Sequence, residues 1–361
     1  MPDGRGWAIR EYVPGDRAAI LELHERVFGT PLTAEQWDWQ FIRRPFGPGP
    51  IIWLATTDDG RVVGHYSEIE VPIWRDRQVT PGAFSIMSMV DPDFQRQGIL
   101  RALAERAGPE LVRRSITMSI AFLNDNSFPL YTQRLGWRPI EPTVPIHVSV
   151  LDAGPIAARA LRVRPLARIA AVAARPLARV VFRAPHDRGD DGLVVTEVSA
   201  VDERFDGLWA AVRQGVAQAT DRSAVYLTWR YLESPRTYHL DIAEEGGRLL
   251  GYIVTRAEDR FGMRVGHIVE LVVDPGRVDV GDLLVMRARR RFGEEGCALA
   301  TALAPSAGGV RATLERGGFR RLPGRLMPHG IRACVIDRSS RTGDLAASDG
   351  WFLSWGDHDV G

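Results

Sequence analysis

SMVDPDFQRQGILRALAE, Ser88 to Glu105, interrupts an apolar run at Asp91-Pro92 and resumes as a helical pattern just beyond Gly98. At a helix start the first backbone N–H groups lack carbonyl partners and the macrodipole is positive, so a turn of exposed amides receives an anion. The missing side chain at Gly98 lets a phosphate approach the backbone, and Arg96 adds charge at the rim. An ordinary strand-to-helix turn also uses glycine for its positive φ, so the neighbouring residues decide between the two readings.

Upstream, FSIMSMV (Phe84 to Val90) reads as a strand; downstream, ILRALAERAGPELVRR from Ile99 is a helix and SITMSIAFL from Ser115 another strand. Working outward, IREY near Ile9 is a strand, DRAAILELHERVF from Asp16 a helix, and TAEQWDWQFI a helix that Thr33 is placed to cap. IIWLATT from Ile51 and RVVGHYSEIEV from Arg61 flank a DDG turn as a hairpin, and NSFPLYTQRL from Asn126 is a short helix before GWRPI. These elements predict an α/β (α+β) fold: a mixed, mostly antiparallel sheet, helices on both faces, and one strand–helix–strand crossover in its middle.

The pattern occurs twice. WQFIRRP at Trp39 matches WRYLESP at Trp229, GRVVGHY at Gly60 matches GRLLGYI at Gly247, VDP at Val90 matches VDP at Val273, and GWR at Gly136 matches GFR at Gly318. The offsets are 190, 187, 183 and 182, in order and only shrinking, as a duplicated domain with small loop deletions would leave. Two domains of one fold are therefore expected, at 1–150 and 193–340. A linker at 151–192 and a tail at 341–361 complete the division. From Gly154 to Pro185 the linker carries seven arginines and no acid, with prolines cutting it into short helical pieces. It reads as a helical strap across the domains; the basic, amphipathic segment 155–185 also permits contact with a membrane surface.

Composition narrows the function. The formal charge of +1 supplies no global field for nucleic acid. No apolar run is long enough for a membrane span, and MPDGRGWAIREY lacks the features of a signal peptide, so a cytoplasmic protein is expected. Cys297 and Cys334, without metal-ligand spacing, imply buried thiols and no metal site. All 46 basic residues are arginine, which G+C-rich coding explains; avoidance of lysine amines by a protein that handles reactive acyl donors is the alternative.

Val90-Asp91-Pro92 followed by Gln95, Gly98 and Leu100 resembles the phosphate turn of the GNAT superfamily of acyl-coenzyme A dependent N-acyltransferases. Its pattern is Q or R, two residues, G, one residue, then G or A. Leu100 departs from the small residue usual there, as in tandem members similar to the mycobacterial Eis acetyltransferases. Asn124, Ser127, Tyr131 and Gly136-Trp137 reproduce a second, independent pattern of the superfamily. The resemblance covers about the first 140 residues. It implies that Met89, Val90, Gln95, Arg96, Gln97, Gly98, Ile99, Leu100 and Asn124 hold acetyl-coenzyme A or another acyl-coenzyme A. It also implies that the strand at Phe84–Val90 splays from the next, and that Tyr131 donates a proton to the departing thiolate.

For the general base, Glu68 and Glu70 share a strand face by the two-residue period. The tail's Asp357-His358-Asp359 could return to the first domain's cleft and offer a carboxylate. The second copy places Val278, Asp279 and Val280 where Gln95, Arg96 and Gln97 stand, and Thr313 where Tyr131 stands, so it reads as degenerate. The expected function is acyl transfer to a primary amine of a small molecule or peptide. A noncatalytic coenzyme A binding scaffold and an aminoacyl-tRNA-dependent ligase remain as alternatives, and the oligomeric state stays open.

Overall fold

The computed structural model describes residues 6–160, 182, 192–323, 332–339 and 345–358. The first half runs β1 (Ala8–Glu11), α1 (Arg17–Phe28), α2 (Ala34–Trp37), β2 (Ile51–Thr56), β3 (Val62–Arg75), β4 (Gln78–Val90), α3 (Ile99–Arg113), β5 (Met118–Leu123), α4 (Phe128–Arg134), β6 (Arg138–Pro139) and β7 (Ile146–Val150). After α5 (Ala153–Ala160) come β8 (Leu193–Val198), α6 (Glu203–Val212), β9 (Gln218–Thr220), α7 (Ala224–Leu227), β10 (His239–Glu245), β11 (Arg248–Arg260) and β12 (Met263–Val273). The chain continues through α8 (Val278–Glu294), β13 (Leu299–Leu303), α9 (Val310–Arg316), β14 (Arg320–Arg321), β15 (Arg332–Asp337), β16 (Trp351–Phe352) and α10 (Trp355–His358).

The two mixed sheets have the same internal order, but each takes one strand from the other half. The first reads β1-β2-β3-β4-β5-β15-β6 and the second β8-β10-β11-β12-β13-β7-β14. β15 lies antiparallel to β5 with Cys334 opposite Ala121, and β7 lies antiparallel to β13 with Val148 opposite Thr301. The division at residue 150 thus leaves β7 in the first unit by sequence although it hydrogen-bonds into the second sheet, and β15 does the reverse. A long β3 extends the union, because Trp74 pairs with Ala219 of β9, which in turn pairs with Phe352 of β16.

Helix α3 packs through Ile99, Leu103, Ala107 and Leu111, a buried stripe at four-residue spacing. It can lie close to the sheet because β3 has glycine beneath it: a Cβ on Gly64 would sit 2.5 Å from Ile99. Gly251, the repeat-equivalent of Gly64, performs the same service for Val280 of α8, where a Cβ would come within 2.9 Å. The repeated GR-x-x-G motif therefore records a packing requirement.

Thr33 caps α2 as expected, accepting from the Gln36 N–H at 3.1 Å while the Gln36 side chain accepts from the Thr33 N–H at 2.9 Å. The helix then departs from the expected uniform run and widens into a π-helical turn over Asp38–Ile42, and the second copy does likewise over Thr228–Leu232. Each widened turn presents the repeated tryptophan. The indole rings of Trp39 and Trp229 stack with centroids 5.4 Å apart. Trp39 Nε1 donates to the Trp229 carbonyl at 2.8 Å, and Trp229 Nε1 donates to the Trp39 carbonyl at 3.1 Å. This reciprocal contact is what a pseudo-two-fold axis between the copies produces.

Strand β4 is kinked where the site lies. His65 pairs with Met89 and Ser67 with Ile86, so two residues of β4 oppose one of β3, and Met87 takes φ 51°. The His65 Nδ1–H donates to the bulged Met87 carbonyl at 2.8 Å. Complete burial drives the His65 imidazole down to about 4, against the pull of that hydrogen bond, so the ring is neutral. The β5 strand starts at Met118, three residues later than the apolar run suggests, because Ser115 sits in a left-handed turn. Cys297 and Cys334 are both buried, and burial pushes the two thiols up to about 11 and about 12. Most of the linker segment 155–185 lies outside the described residues. Among those described, no helix is long and apolar enough to cross a membrane.

Trp39→Ala should destabilise the protein by about 3–5 kcal/mol, the usual cost of truncating a buried tryptophan. A double-mutant cycle with Trp229→Ala in urea unfolding should return a coupling of about 0.5–1.5 kcal/mol; additive losses would show that the pair does not act together. His65 has a depressed folded value, so it contributes stability that is complete above the unfolded value near 6.5 and lost as pH falls from about 6.5 toward about 4. Unfolding free energies between those pH values should therefore decline less steeply in His65→Gln than in wild type, by up to about 3 kcal/mol over the window.

Candidate active site

Val90 closes β4, and Asp91 then fixes the turn that follows. Its buried carboxylate accepts from the Asp93 N–H at 3.1 Å, from Arg26 Nε at 3.0 Å and from Arg61 Nη2 at 2.6 Å. Burial would raise this carboxyl, but the Asp93 N–H and the two guanidiniums outweigh it and hold it below the ordinary carboxylate range. Past Gln95 the backbone turns through two left-handed residues, Arg96 at φ 62° and Gly98 at φ 78°, into the first turn of α3. Nothing lies within 4 Å of where a Gly98 side chain would begin. The space above belongs to a cavity of 620 Å³ lined by Met89, Val90, Gln95, Arg96, Gly98, Ile99, Leu100 and Asn124 among others. Of the predicted turn residues, Gln97 alone is absent from this lining.

Strands β4 and β5 pair only at Ala83–Ser119 and Phe84–Ile120. Beyond that point they diverge, and β4 carries its bulge there. Ile86, Met87 and Ser88 on one side and Ala121 to Asn124 on the other line a narrower cleft of 200 Å³. Tyr131 closes it. Its hydroxyl lies 2.7 Å from Ser88 Oγ and 3.2 Å from Ser85 Oγ, and burial pushes the phenol up to about 12 against these two hydrogen bonds. Asn124 works through local structure: its Oδ1 accepts from the Asn126 and Ser127 N–H groups at 3.0 and 2.9 Å, setting the start of the helix that carries Tyr131. Neither serine partner of Tyr131 was singled out from the sequence. Only the register of β4 against α4 reveals them.

The two carboxylates suggested as the base lie outside the cleft lining. Glu68 is fully buried, accepting from Tyr66 Oη at 2.6 Å, Ser119 Oγ at 2.5 Å and Arg338 Nη2 at 3.2 Å. Glu70 lies against Gly47, close enough that a Cβ there would collide with its carboxylate. The tail reaches the cleft instead: Asp357 and His358 are both in its wall. Asp357 is occupied, accepting from Arg222 Nη2 at 2.7 Å, Thr220 Oγ1 at 2.8 Å and the Ser354 N–H at 2.9 Å. Arg222 also binds Glu270 at 3.3 Å, and all three side chains are fully buried. His358 stands beyond this clamp with its ring 5.2 Å from Phe122 of β5. Asp359 lies outside the described residues. Among those described, no group of acidic, histidine and cysteine side chains is arranged to hold a metal ion.

The corresponding cleft of the second copy is plugged. Phe352, Leu353 and Ser354 of the tail lie between β12 and β13, leaving a void of 10 Å³, about the size of one water. At the start of α8 Arg277 is tied to Asp279 at 2.7 Å and Glu245 at 3.1 Å, and Asp282 to Arg316 at 2.9 Å. Thr313, where the first copy has Tyr131, packs against Gly281.

Residues 8–140 match the family model described as an acetyltransferase (GNAT) domain. No curated protein matches the chain. Solved structures of similar fold include a GCN5-related N-acetyltransferase from Anabaena variabilis, at TM-score 0.62 and 12% identity over 92% of this chain and 73% of that one. A probable N-acyltransferase from Enterococcus faecalis aligns at TM-score 0.59 and 11% identity over 92% and 72%. A GCN5-related N-acetyltransferase from Kribbella flavida aligns at TM-score 0.57 and 13% identity over 91% and 70%. The fold is thus that of GNAT N-acetyltransferases, and the segment that carries the turn and Tyr131 matches the acetyltransferase domain family.

Proposed function

We propose that this chain is an acyl-coenzyme A dependent N-acyltransferase with one working cleft, in its first half, that transfers an acyl group, most simply acetyl, to a primary amine. The observation that carries this reading is continuity. The turn cavity and the Tyr131 cleft share Phe28, Ser88, Asn124 and Ser127, so an anion seated at Gly98 and a reacting group beside Tyr131 can belong to one molecule. The open space over Gly98, the 620 Å³ volume and the unpaired edge of β4 suit the phosphates and extended arm of an acyl-coenzyme A. When bound, that molecule supplies an activated thioester.

The chain's own residues divide the remaining work. The N–H groups of the turn, with Arg96, bind phosphate; Met89 and Val90 present β4 backbone to the acyl end. Tyr131, kept protonated by its raised value and aligned by Ser85 and Ser88, holds the proton that the departing thiolate requires. His358 is placed to take the proton that the attacking amine loses. The plugged second cleft supports a single site.

Calorimetric titration with acetyl-coenzyme A should count one site per chain, abolished by Gly98→Trp; two sites would overturn the single-cleft reading. Binding without turnover on any amine would make the protein a scaffold. Tyr131→Phe should cut kcat by about 100 to 10,000-fold, the range for a positioned acid, and leave cofactor affinity unchanged. Because the phenol titrates only near 12, the rate should show no alkaline decline from Tyr131 at ordinary pH. His358→Gln should lower kcat and leave the affinity for acetyl-coenzyme A unchanged. An unchanged kcat would remove His358 from the reaction.

A further inference from the structure

Resting on that reading, we infer that two buried side chains of β3, His65 and Ser67, are positioning residues for the transfer: they hold the β4 bulge in the shape that lays Ser88 against Tyr131. Neither residue lines the turn cavity or the Tyr131 cleft. They act through the strand between.

On β3 only Tyr66 separates the pairs His65–Met89 and Ser67–Ile86, whereas on β4 the same interval holds Met87 and Ser88. Met87 takes φ 51°, a conformation that residues with side chains rarely adopt and keep only where their surroundings impose it. Two donors meet the bulged segment there. The His65 Nδ1–H donates to the Met87 carbonyl at 2.8 Å, and Ser67 Oγ donates to the Ile86 carbonyl at 2.7 Å. Both side chains are fully buried, so water does not compete for these bonds. A carbonyl can only accept, so the ring proton of the neutral imidazole sits on Nδ1, and Nε2 has no hydrogen-bond partner. The ring is held edge-on by Trp37 and Phe41, with centroids 5.8 and 6.2 Å away.

The consequence reaches the reaction through strand periodicity. Ser85 and Ser88 are three residues apart, and in a regular strand they would point to opposite faces. Both nevertheless meet the Tyr131 hydroxyl, at 3.2 and 2.7 Å. The extra residue of the bulge is what brings the second serine round. The other copy shows the same strand pair without the donors. By the repeat offsets, Tyr252 stands where His65 does and Val254 where Ser67 does, while Glu270 and Leu271 replace Met87 and Ser88. There the ladder runs regularly through Tyr252–Val272, Ile253–Leu271 and Val254–Glu270, and the irregularity comes only afterwards. Glu270 is not among the residues with positive φ. The bulge lies at the donors where they exist and is displaced where they do not.

The test measures acetyl transfer from acetyl-coenzyme A to whichever amine of a panel the wild type accepts. His65→Leu, which keeps the bulk and removes the donor, should lower kcat by about 100-fold, the penalty for misplacing a reacting group by about 1 Å. The calorimetric affinity for coenzyme A should not change. His65→Asn, whose amide nitrogen is attached at the same carbon as Nδ1, should recover kcat to within about threefold of wild type. In a Tyr131→Phe background, His65→Leu should cost less than about twofold more, because groups that act as a unit are not additive. An unchanged kcat in folded His65→Leu, full additivity with Tyr131→Phe, or no recovery in His65→Asn overturns the inference while leaving acyl transfer intact. Should His65→Leu misfold, Ser67→Ala should lower kcat by about tenfold, and an unchanged kcat there overturns it equally. If the wild type transfers to no amine, the functional reading fails by itself, and a crystal structure of Ser67→Ala judges the bulge. Met87 displaced from its left-handed conformation and Ser88 withdrawn from Tyr131 would support the positioning role; Met87 still near φ 51° with Ser88 at 2.7 Å would overturn it.

Discussion

Everything in this molecule depends on the exchange of β7 and β15. The strand in the sixth position must satisfy backbone groups on both neighbours, and in each sheet that strand comes from the other half of the chain. Neither sheet can close alone. The reciprocal Trp39–Trp229 pair fixes the rotation between the halves, and the β3–β9–β16 pairing ties them a third time. The two copies are better described as one interlocked body than as beads on a linker.

Interlocking also shapes the site. β4 is bent by its bulge and leaves β5 after Phe84, while β15 holds the other edge of β5 in the sheet, so the cleft is a fixed opening. Arg338, just past β15, reaches Glu68 and Ser119, so the second half braces the sheet behind the Tyr131 cleft. Catalytic geometry of this kind needs rigid support, because sub-ångström placement governs transfer rates.

Divergence between the copies has a physical use. In the second copy the tail fills the channel that stays open in the first, and the buried Arg222, Glu270 and Asp357 hold it there. Burial raises the Glu270 carboxyl against the pull of Arg222. Breaking such a cluster by removing one partner strands a buried charge, so the tail's path is strongly specified. That path ends at His358, in the wall of the open cleft.

Much of this was legible in the residues themselves. Alternation and helical spacing marked the strands and helices, four ordered matches marked the duplication, and the order of Gln95, Gly98, Asn124 and Tyr131 marked the turn and the proposed acid. These are local properties, set by backbone sterics and side-chain period, and the chain carries them wherever it folds. Strand partnership is not local. No local pattern names the partner of β7 or β15, so packing of the whole decided the exchange. Glu68 and Glu70 illustrate the same limit: the two-residue period put them on one face, but what covers that face came from residues far along the chain. Sequence alone determined the local elements of each half and the pattern of its turn. Tertiary structure decided which half stays open, which groups meet there and what fills the space behind them, because those are contacts between segments that no local pattern constrains.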